Sequence, residues 1–150
     1  MPRIPTWLAC LVVILCAGVQ AHAQFSLRAA SAEPVDGWQQ MQIENCQSRC
    51  TVWISPTAAI VASDIESAHQ ENVDGATRIA IVFTDAGAQK FTDLTTAQVK
   101  RLIAMVVDGK VLWAPMVMGT ITGKEGVLYG DGPRGLTQEH AERILALLRK

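Results

Sequence analysis

An Asp-Gly pair between two apolar runs is the feature that most constrains the fold of this chain. The segment Leu102 to Val107 is apolar throughout, Asp108-Gly109 follows it, and Lys110 to Trp113 returns to apolar residues. A tight two-residue turn needs positive φ at both central positions, which Asp and Gly tolerate, so the pattern predicts a β-hairpin. Because a hairpin joins antiparallel strands, a purely parallel sheet is excluded. Pro115 cannot donate to a strand ladder, so it places the second strand at a sheet edge or ends it.

The other segments predict a mixture of strands and helices. Ser63 and Glu66 match the spacing of a capping box, which predicts a helix from Asp64 to about Glu71 with Asp74-Gly75 as its exit turn. A second helix is predicted from Gly87-Ala88 onward. Three further strands are predicted on apolar and β-branched content, at Thr51–Ile54, Arg78–Phe83 and Val127–Tyr129.

The last helix has the clearest pattern in the chain. Thr137 is its predicted N-cap, with Leu136 and Ala141 in the positions of a hydrophobic staple. Its apolar face consists of Ala141, Ile144, Leu145 and Leu148. Together the elements predict an α+β fold, in which helices pack on one face of a mostly antiparallel sheet.

The first 23 residues have the layout of a secretory signal peptide. Arg3 precedes an apolar stretch from Trp7 to Val19, and Ala21-His22-Ala23 forms a small-x-small cleavage site before Gln24. We therefore expect a protein that is periplasmic or secreted, while retention of the segment as an uncleaved anchor stays open. Without Arg3 the chain carries 12 basic and 14 acidic residues and no basic stripe, so nucleic acid is not an expected partner.

Two cysteines remain after the signal segment, Cys46 and Cys50. An even pair in an oxidising compartment predicts a disulfide. The alternative is a thiol-based copper-binding or redox protein, because two thiolates four residues apart can share one face of a helical turn and bind copper(I). Their spacing is similar to that of the thiol pair in Sco-type copper chaperones.

Motifs for enzymatic chemistry are absent from the sequence. There is no Gly-x-Ser-x-Gly elbow and no His-Glu-x-x-His pair, and the glycines around Gly123 lack the spacing of a phosphate-binding loop. His69 and His140 have polar neighbours and are expected to be solvated. We therefore predict a protein that is not an enzyme and that carries no cofactor or metal.

The block from Phe83 to Gly130 resembles the head of the first periplasmic domain of SecD, in the SecD/SecF export-membrane-protein family. The resemblance rests on Gly87-Ala88-x-x-Phe91-x-x-Leu94-Thr95, then Asp108-Gly109 and Ala114-Pro115, and it extends over roughly Val52 to Leu148. It implies a head-like domain at 51–150, preceded by an extended lead-in at 24–50 that carries the cysteine pair, and by the signal peptide at 1–23.

The resemblance also implies a function. In SecD the head is thought to contact an emerging unfolded polypeptide, so this chain is expected to be a non-enzymatic exported binding module. Its implied partners are unfolded polypeptide or components of the protein translocase, with no membrane span after signal cleavage. Trp53 and Trp113 are the candidate contact residues for polypeptide.

Overall fold

A computed structural model of the chain describes residues 24–130 and 135–149. The predicted signal peptide at 1–23 lies outside these ranges. The described elements are nine strands, two α-helices and one short 3-10 helix at Ala62–Asp64. The strands are β1 Phe25–Ser31, β2 Gln39–Gln42, β3 Thr51–Ile54, β4 Ile60–Val61, β5 Ile65–Val73, β6 Ala76–Phe83, β7 Leu102–Val107, β8 Lys110–Trp113 and β9 Glu125–Leu128; the helices are α1 Asp85–Ala97 and α2 Gln138–Leu148.

The strands form two sheets, and every pairing between named strands is antiparallel. The larger sheet has the order β2-β3-β1-β7-β8, with β4 also paired to β1, and the smaller has the order β5-β6-β9. Two helices on mostly antiparallel sheets confirm the predicted α+β class. The single predicted sheet is in fact two, because β6 pairs with β5 and β9 and not with β7.

The larger sheet curls until its two outer strands meet. Ile43, just after β2, forms a bridge with Val111 of β8, and the Glu44 N–H donates to the Val111 carbonyl at 2.8 Å. The curled face encloses a small core made of Ala30, Ile43, Val52, Ile54, Ala104, Val106 and Val111. The opposite face of this sheet contributes to the main core.

The segment 24–50 is part of the larger sheet and not an extension ahead of the domain. Strand β1 lies in the middle of that sheet, pairing with β7 from Phe25 to Ala30 and with β3 and β4 on its other side. Side chains on both faces of β1 are buried, since Leu27 faces the main core and Ala30 the small one. From Phe25 to Ala29 the strand alternates between apolar and polar residues, and the prediction of an extended lead-in did not take this strand period into account.

The predicted β7–β8 hairpin is confirmed. Asp108 has φ 50° and Gly109 has φ 77°, as the tight turn requires. Strand β8 is last in the strand order and ends at Trp113, shortly before Pro115, as predicted, although its outer side also forms the bridge between Val111 and Ile43.

The helix predicted at Asp64–Glu71 is wrong, because this segment is the strand β5. Asp74 and Gly75 have φ 51° and 79°, so they form a second hairpin turn and lay β5 along β6. The apolar strand β6 gains a hydrogen-bonded neighbour on this side, and that pairing outweighs a local capping signal. The carboxylate that accepts a backbone N–H here belongs to Asp64, which bonds to Val61, and not to Glu66.

Helix α1 begins at Asp85, two residues earlier than predicted, with Thr84 as its N-cap. The Thr84 hydroxyl accepts from the Gly87 N–H at 3.0 Å. Near this end Lys90 donates to the buried carboxylate of Asp64 at 2.7 Å, which ties the helix to the start of β5. Burial raises the pKa of Asp64, but hydrogen bonds from Lys90 and from the Val61 N–H outweigh it and leave the pKa below its usual value.

We predict that Asp64→Asn lowers the free energy of unfolding by about 1–2 kcal/mol at neutral pH, since it removes a charge-assisted hydrogen bond whose Lys90 end is half exposed. The pKa of Asp64 is lower in the folded protein than in the unfolded chain, where it is about 4. The extra stability of the wild type over Asp64→Asn is therefore fully present above about pH 4 and is lost as the pH falls through the pKa of the folded protein. Urea unfolding from about pH 7 down to about pH 3 measures this. Asp93→Asn on the exposed face of α1 is the control, and a pH-independent difference for Asp64→Asn would contradict the assignment.

The main core lies between the two sheets and α2. The predicted N-cap of α2 is confirmed, because the Thr137 hydroxyl accepts from the His140 N–H at 3.1 Å. The predicted apolar face is confirmed as well, since Ala141, Ile144, Leu145 and Leu148 are all buried. The helix packs mainly against β5 and β6, with further contacts to β1.

Candidate functional site

An open groove of about 490 Å³ lies at the end of the main core, between the two sheets and α1. None of the described residues that line it carries an ionisable side chain. The apolar groove is lined by Leu27, Ile81, Phe83, Phe91, Thr95, Ile103, Met105, Trp113, Pro115, Met116, Val117, Met118, Gly119, Ile121, Gly126, Val127 and Leu128.

The rim of the apolar groove is the connection between β8 and β9. Three of its apolar side chains are exposed: Met118 at 82%, Met116 at 54% and Ile121 at 44%. Such side chains normally avoid water, and a contiguous apolar patch marks an interaction site more often than a scattered one. Methionine is flexible and polarisable, so it adapts to side chains of different shapes.

A buried threonine fixes this rim to α1. The Thr95 hydroxyl is fully buried, donates to the Phe91 carbonyl at 2.9 Å and accepts from the Ile121 N–H at 3.0 Å. The far end of the rim is held by an ion pair between Lys124 and Asp85, which raises the pKa of Lys124 mainly through their hydrogen bond. The connection is therefore anchored on both sides of its exposed apolar residues.

The floor of the apolar groove is aromatic. The rings of Phe83 and Phe91 stack with their centroids 4.7 Å apart. Gly126 of β9 lies beside them, and a Cβ at that position would approach both Ile81 and Phe83 to 3.3 Å. The missing side chain at Gly126 therefore keeps the floor accessible.

An aromatic and charged cluster borders the groove next to β9. Trp113 contacts Tyr129 edge to face, with ring centroids 5.8 Å apart. Arg78 donates to the Tyr129 hydroxyl at 2.9 Å and pairs with Glu71. The hydrogen bond from Arg78 lowers the pKa of the Glu71 carboxyl, so this pair is ionised at neutral pH.

Strand β9 is an edge strand. It pairs with β6 on one side, and among the described residues no strand pairs with its other side. An open edge offers backbone N–H and C=O groups to another extended chain. The apolar groove and this edge are adjacent, since Gly126, Val127 and Leu128 of β9 line the groove.

The structure separates the two predicted polypeptide-contact residues. Trp113 lines the apolar groove and is half-buried. Trp53 is also half-buried but lies on β3 in the larger sheet, outside the set of residues that line the groove. The sequence-based prediction did not include Met116, Met118 or Ile121, although two methionines spaced by one residue directly after Pro115 are a usable signal of an exposed apolar rim.

The cysteine pair lies in the loop after β2, apart from the apolar groove. The Cα atoms of Cys46 and Cys50 are 5.4 Å apart, and their sulfurs are at disulfide distance. In the described part of the chain, no group of three or more His, Cys, Asp or Glu side chains is arranged to hold a metal ion. The cysteine pair is therefore not joined there by other metal-ligating side chains.

The two histidines differ in environment. His69 is exposed on β5, as expected for a solvated side chain, and lies 3.2 Å from Glu71. His140 is largely buried, with its Nε2 3.0 Å from a Glu44 carboxylate oxygen, so its predicted solvation is wrong. Glu44 also pairs with Lys110 at 2.8 Å, and that hydrogen bond is the main cause that lowers the pKa of Glu44.

A family model described as the SecDF P1 head subdomain matches residues 39–150. The chain belongs to the SecDF P1 head family. It is similar to the protein translocase subunit SecD of Acidaminococcus fermentans, with 41% identity over 71 residues that cover 47% of this chain and 16% of that protein. It is also similar to the protein translocase subunit SecDF of Thermus thermophilus, with 33% identity over 75 residues, or 50% of this chain and 10% of that protein.

Solved structures of SecDF have the same fold. A structure of SecDF, described as a membrane component that enhances protein export, aligns with a TM-score of 0.62 and 22% identity over 85% of this chain and 62% of that chain. A crystal structure of SecDF in a super-membrane-facing form aligns with a TM-score of 0.61, also at 22% identity, over 84% of this chain and 18% of that chain.

This SecDF P1 head spans less than a fifth of the length of the curated relatives that it matches. The matched family residues include both the apolar groove rim and the open strand β9. Across residues 24–130 and 135–149 there is no helix with the length and apolar character of a membrane span.

Proposed function

We propose that this SecDF P1 head is an exported, non-enzymatic binding module that holds apolar segments of unfolded polypeptide during protein export. The observation that carries the proposal is the apolar groove beside the open edge of β9. Membership of the family and the export role named for its relatives support the setting, in the periplasm and near the translocase.

The geometry fits an extended chain. A polypeptide that pairs with the outer edge of β9 directs alternate side chains to one face, where the groove lies. Backbone hydrogen bonds to the edge do not depend on sequence, while the methionine rim accepts apolar side chains of varied shape. Such a site binds many unfolded chains with modest selectivity, as a module acting on diverse exported proteins requires.

The absence of titratable side chains from the described groove lining supports a binding role over catalysis, because general acid–base or nucleophilic chemistry needs such groups at the site. Disulfide formation between Cys46 and Cys50 is proposed as a structural feature of the oxidised, exported protein. It would close a short loop next to Ile43, whose N–H donates to the Cys50 carbonyl at 2.7 Å.

We predict that Met118→Glu weakens binding of unfolded polypeptide at least about tenfold, because it removes an apolar contact and places a charge at the rim of the apolar groove. The probe is a fluorescein-labelled, reduced and carboxymethylated polypeptide that stays unfolded, and the measurement is fluorescence anisotropy. Stability should change little, since Met118 is the most exposed large apolar residue of the described chain.

The matched control for this variant is Val73→Glu. Val73 is an exposed apolar residue beside the turn of the β5–β6 hairpin, far from the apolar groove. The substitution therefore adds the same charge as Met118→Glu, but away from the groove. Equal loss of binding in both variants would show that net charge, and not the groove, governs the interaction. Unchanged binding by Met118→Glu would overturn the assignment of this groove.

A capture experiment addresses the partners directly. The tagged protein is crosslinked briefly in cell envelope, solubilised and recovered, with the Met118→Glu variant processed in parallel. We expect recovery of unfolded exported chains or translocase subunits with the wild-type protein and reduced recovery of the exported chains with the variant. Recovery of neither class, where a SecD head succeeds under the same conditions, would leave a shared fold without the proposed function.

A further inference from the structure

A second groove, of about 690 Å³, lies beside the apolar groove. Its floor is formed by apolar residues at one end of the small core, including Ile43, Val52 and Leu102, and its wall includes the half-buried ring of Trp38. We name it the basic groove, because its lining carries three cations, Arg49, Lys100 and Arg101, against a single carboxylate, Glu33.

The three cations are exposed and are not committed to partners in the described part of the chain. Of the ion pairs formed among residues 24–130 and 135–149, none includes Arg49, Lys100 or Arg101. The basic groove therefore has a local excess of positive charge, whereas the chain without its first 23 residues has more acidic than basic residues. A concave surface with unbalanced charge attracts ligands of the opposite sign.

The backbone holds two of these cations in an unusual conformation. Arg49 has φ 52° and Lys100 has φ 63°, in the left-handed region that a long side chain adopts at a cost in energy. The Lys100 N–H donates to the Val117 carbonyl at 2.7 Å, and the Val117 N–H donates to the Arg101 carbonyl at 2.8 Å. The segment that carries Lys100 and Arg101 is thus fixed to the rim of the apolar groove.

The two grooves meet at one shared lining residue. Met116 lines both of them, and it forms a bridge with Leu102, the residue that follows Arg101. The strand-like segment around Met116 and Val117 therefore has the apolar groove on one side and the basic groove on the other. A chain that leaves the apolar groove across Met116 reaches the cations within a few residues, because an extended chain advances about 3.3 Å per residue.

We propose that the basic groove is a second subsite for the same polypeptide, and that it selects segments in which acidic residues follow or precede an apolar stretch. The inference rests on the proposed polypeptide binding at the apolar groove. Carboxylates of the bound chain would be attracted to Lys100, Arg101 and Arg49, while the apolar stretch occupies the neighbouring groove. The preferred substrate class is therefore unfolded polypeptide with an apolar segment flanked by Asp or Glu.

Three labelled peptides test the proposal by fluorescence anisotropy with the purified protein. They share one apolar segment and differ only in an adjoining block of four Asp, four Asn or four Lys residues. At low salt we expect the Asp peptide to bind about tenfold more tightly than the Asn peptide, and the Lys peptide to bind more weakly than both. At about 0.5 M salt the Asp preference should fall to about twofold, because exposed charges are screened over a few Å.

Substitutions test whether the preference for the Asp peptide depends on the basic groove. Lys100→Gln with Arg101→Gln should reduce the Asp preference to about twofold while binding of the Asn peptide stays within about twofold of wild type. Arg149→Gln is the charge control, since it removes an exposed positive charge at the end of α2, and it should leave the preference intact. Loss of the preference in Arg149→Gln as well would overturn the assignment to the basic groove.

The outcomes separate this inference from the proposed function. Equal binding of the Asp and Asn peptides overturns the inference and leaves the proposed function standing. Binding of none of the three peptides overturns both. Sedimentation with phosphatidylglycerol vesicles, together with equal binding of Asp and Asn peptides, assigns the cations to an anionic membrane surface and also overturns the inference.

Discussion

Gly87→Ala is expected to lower the free energy of unfolding by about 3 kcal/mol, at the upper end of the cost of overpacking a well-packed site. A Cβ on Gly87 would lie 2.1 Å from the Asp64 carbonyl oxygen and 3.0 Å from the Asp64 Cβ. The nearest atom belongs to the backbone, so no side-chain rotation relieves the contact. The helix or the start of β5 must move, and alanine's better helix propensity, worth about 1 kcal/mol, does not offset that.

Displacement of Asp64 would also disturb other bonds at this junction. Its carbonyl accepts the Thr84 N–H at 2.9 Å, and its carboxylate holds Lys90. Because α1 supplies Phe91 and Thr95 to the apolar groove, we expect polypeptide binding to weaken together with stability.

Urea unfolding followed by circular dichroism measures the effect of Gly87→Ala. The control is Gly119→Ala, because a Cβ on Gly119 meets nothing within 4 Å, and its stability should stay within about 0.5 kcal/mol of wild type. An unchanged urea midpoint for Gly87→Ala would show that the α1–β5 junction tolerates a methyl group, contrary to the close approach described.

Ile144→Ala is expected to cost about 3–4 kcal/mol and to lower the melting temperature by roughly 10 °C, within the range for large-to-small changes at fully buried positions. Ile144 has no exposed surface and lies on the face of α2 that packs against the main core. The removed atoms leave a cavity between α2 and the sheets, which the rigid strands cannot fill.

Graded variants distinguish this packing effect from a loss of helix propensity. Ile144→Val should cost about 0.5–1.5 kcal/mol, because it removes one methylene group. Glu142→Ala lies on the exposed side of the same helix and should change stability by at most about 0.5 kcal/mol. If thermal unfolding showed equal losses for Ile144→Ala and Glu142→Ala, α2 would not be docked as described.

The sequence predicted best those elements whose signals are local. The β7–β8 hairpin and the capped amphipathic α2 depend on residues that are neighbours along the chain, such as Asp108-Gly109 and Thr137 with its apolar face. The strand β5 was missed because Ser63 and Glu66 carry a local helix signal, while the stronger term is pairing with β6 through the Asp74-Gly75 turn. A local rule contains no information about a partner strand.

The candidate site was predicted only in part for a similar reason. Trp113 could be proposed from its residue type, but whether a tryptophan lines a groove depends on which elements surround it. The β8–β9 connection forms a rim because the Thr95 hydroxyl, on α1, accepts the Ile121 N–H and holds this connection against the helix. That contact places Met116, Met118 and Ile121 at the groove, and it cannot be read from residue type. The basic groove depends on backbone hydrogen bonds from Lys100 to Val117 and from Val117 to Arg101. These residues lie on either side of the β7–β8 hairpin in the sequence, and they become neighbours only when β7 and β8 pair.

The sequence alone determined the α+β class, the hairpin at Asp108-Gly109, the docking face of α2 and the resemblance to the SecD head, since each is encoded by a short pattern of turn, capping or apolar residues. The tertiary structure decided that β1 is central, that 65–73 is a strand and that two grooves meet at Met116. These features arise from contacts between residues far apart in the chain, where packing and strand pairing outweigh local preference.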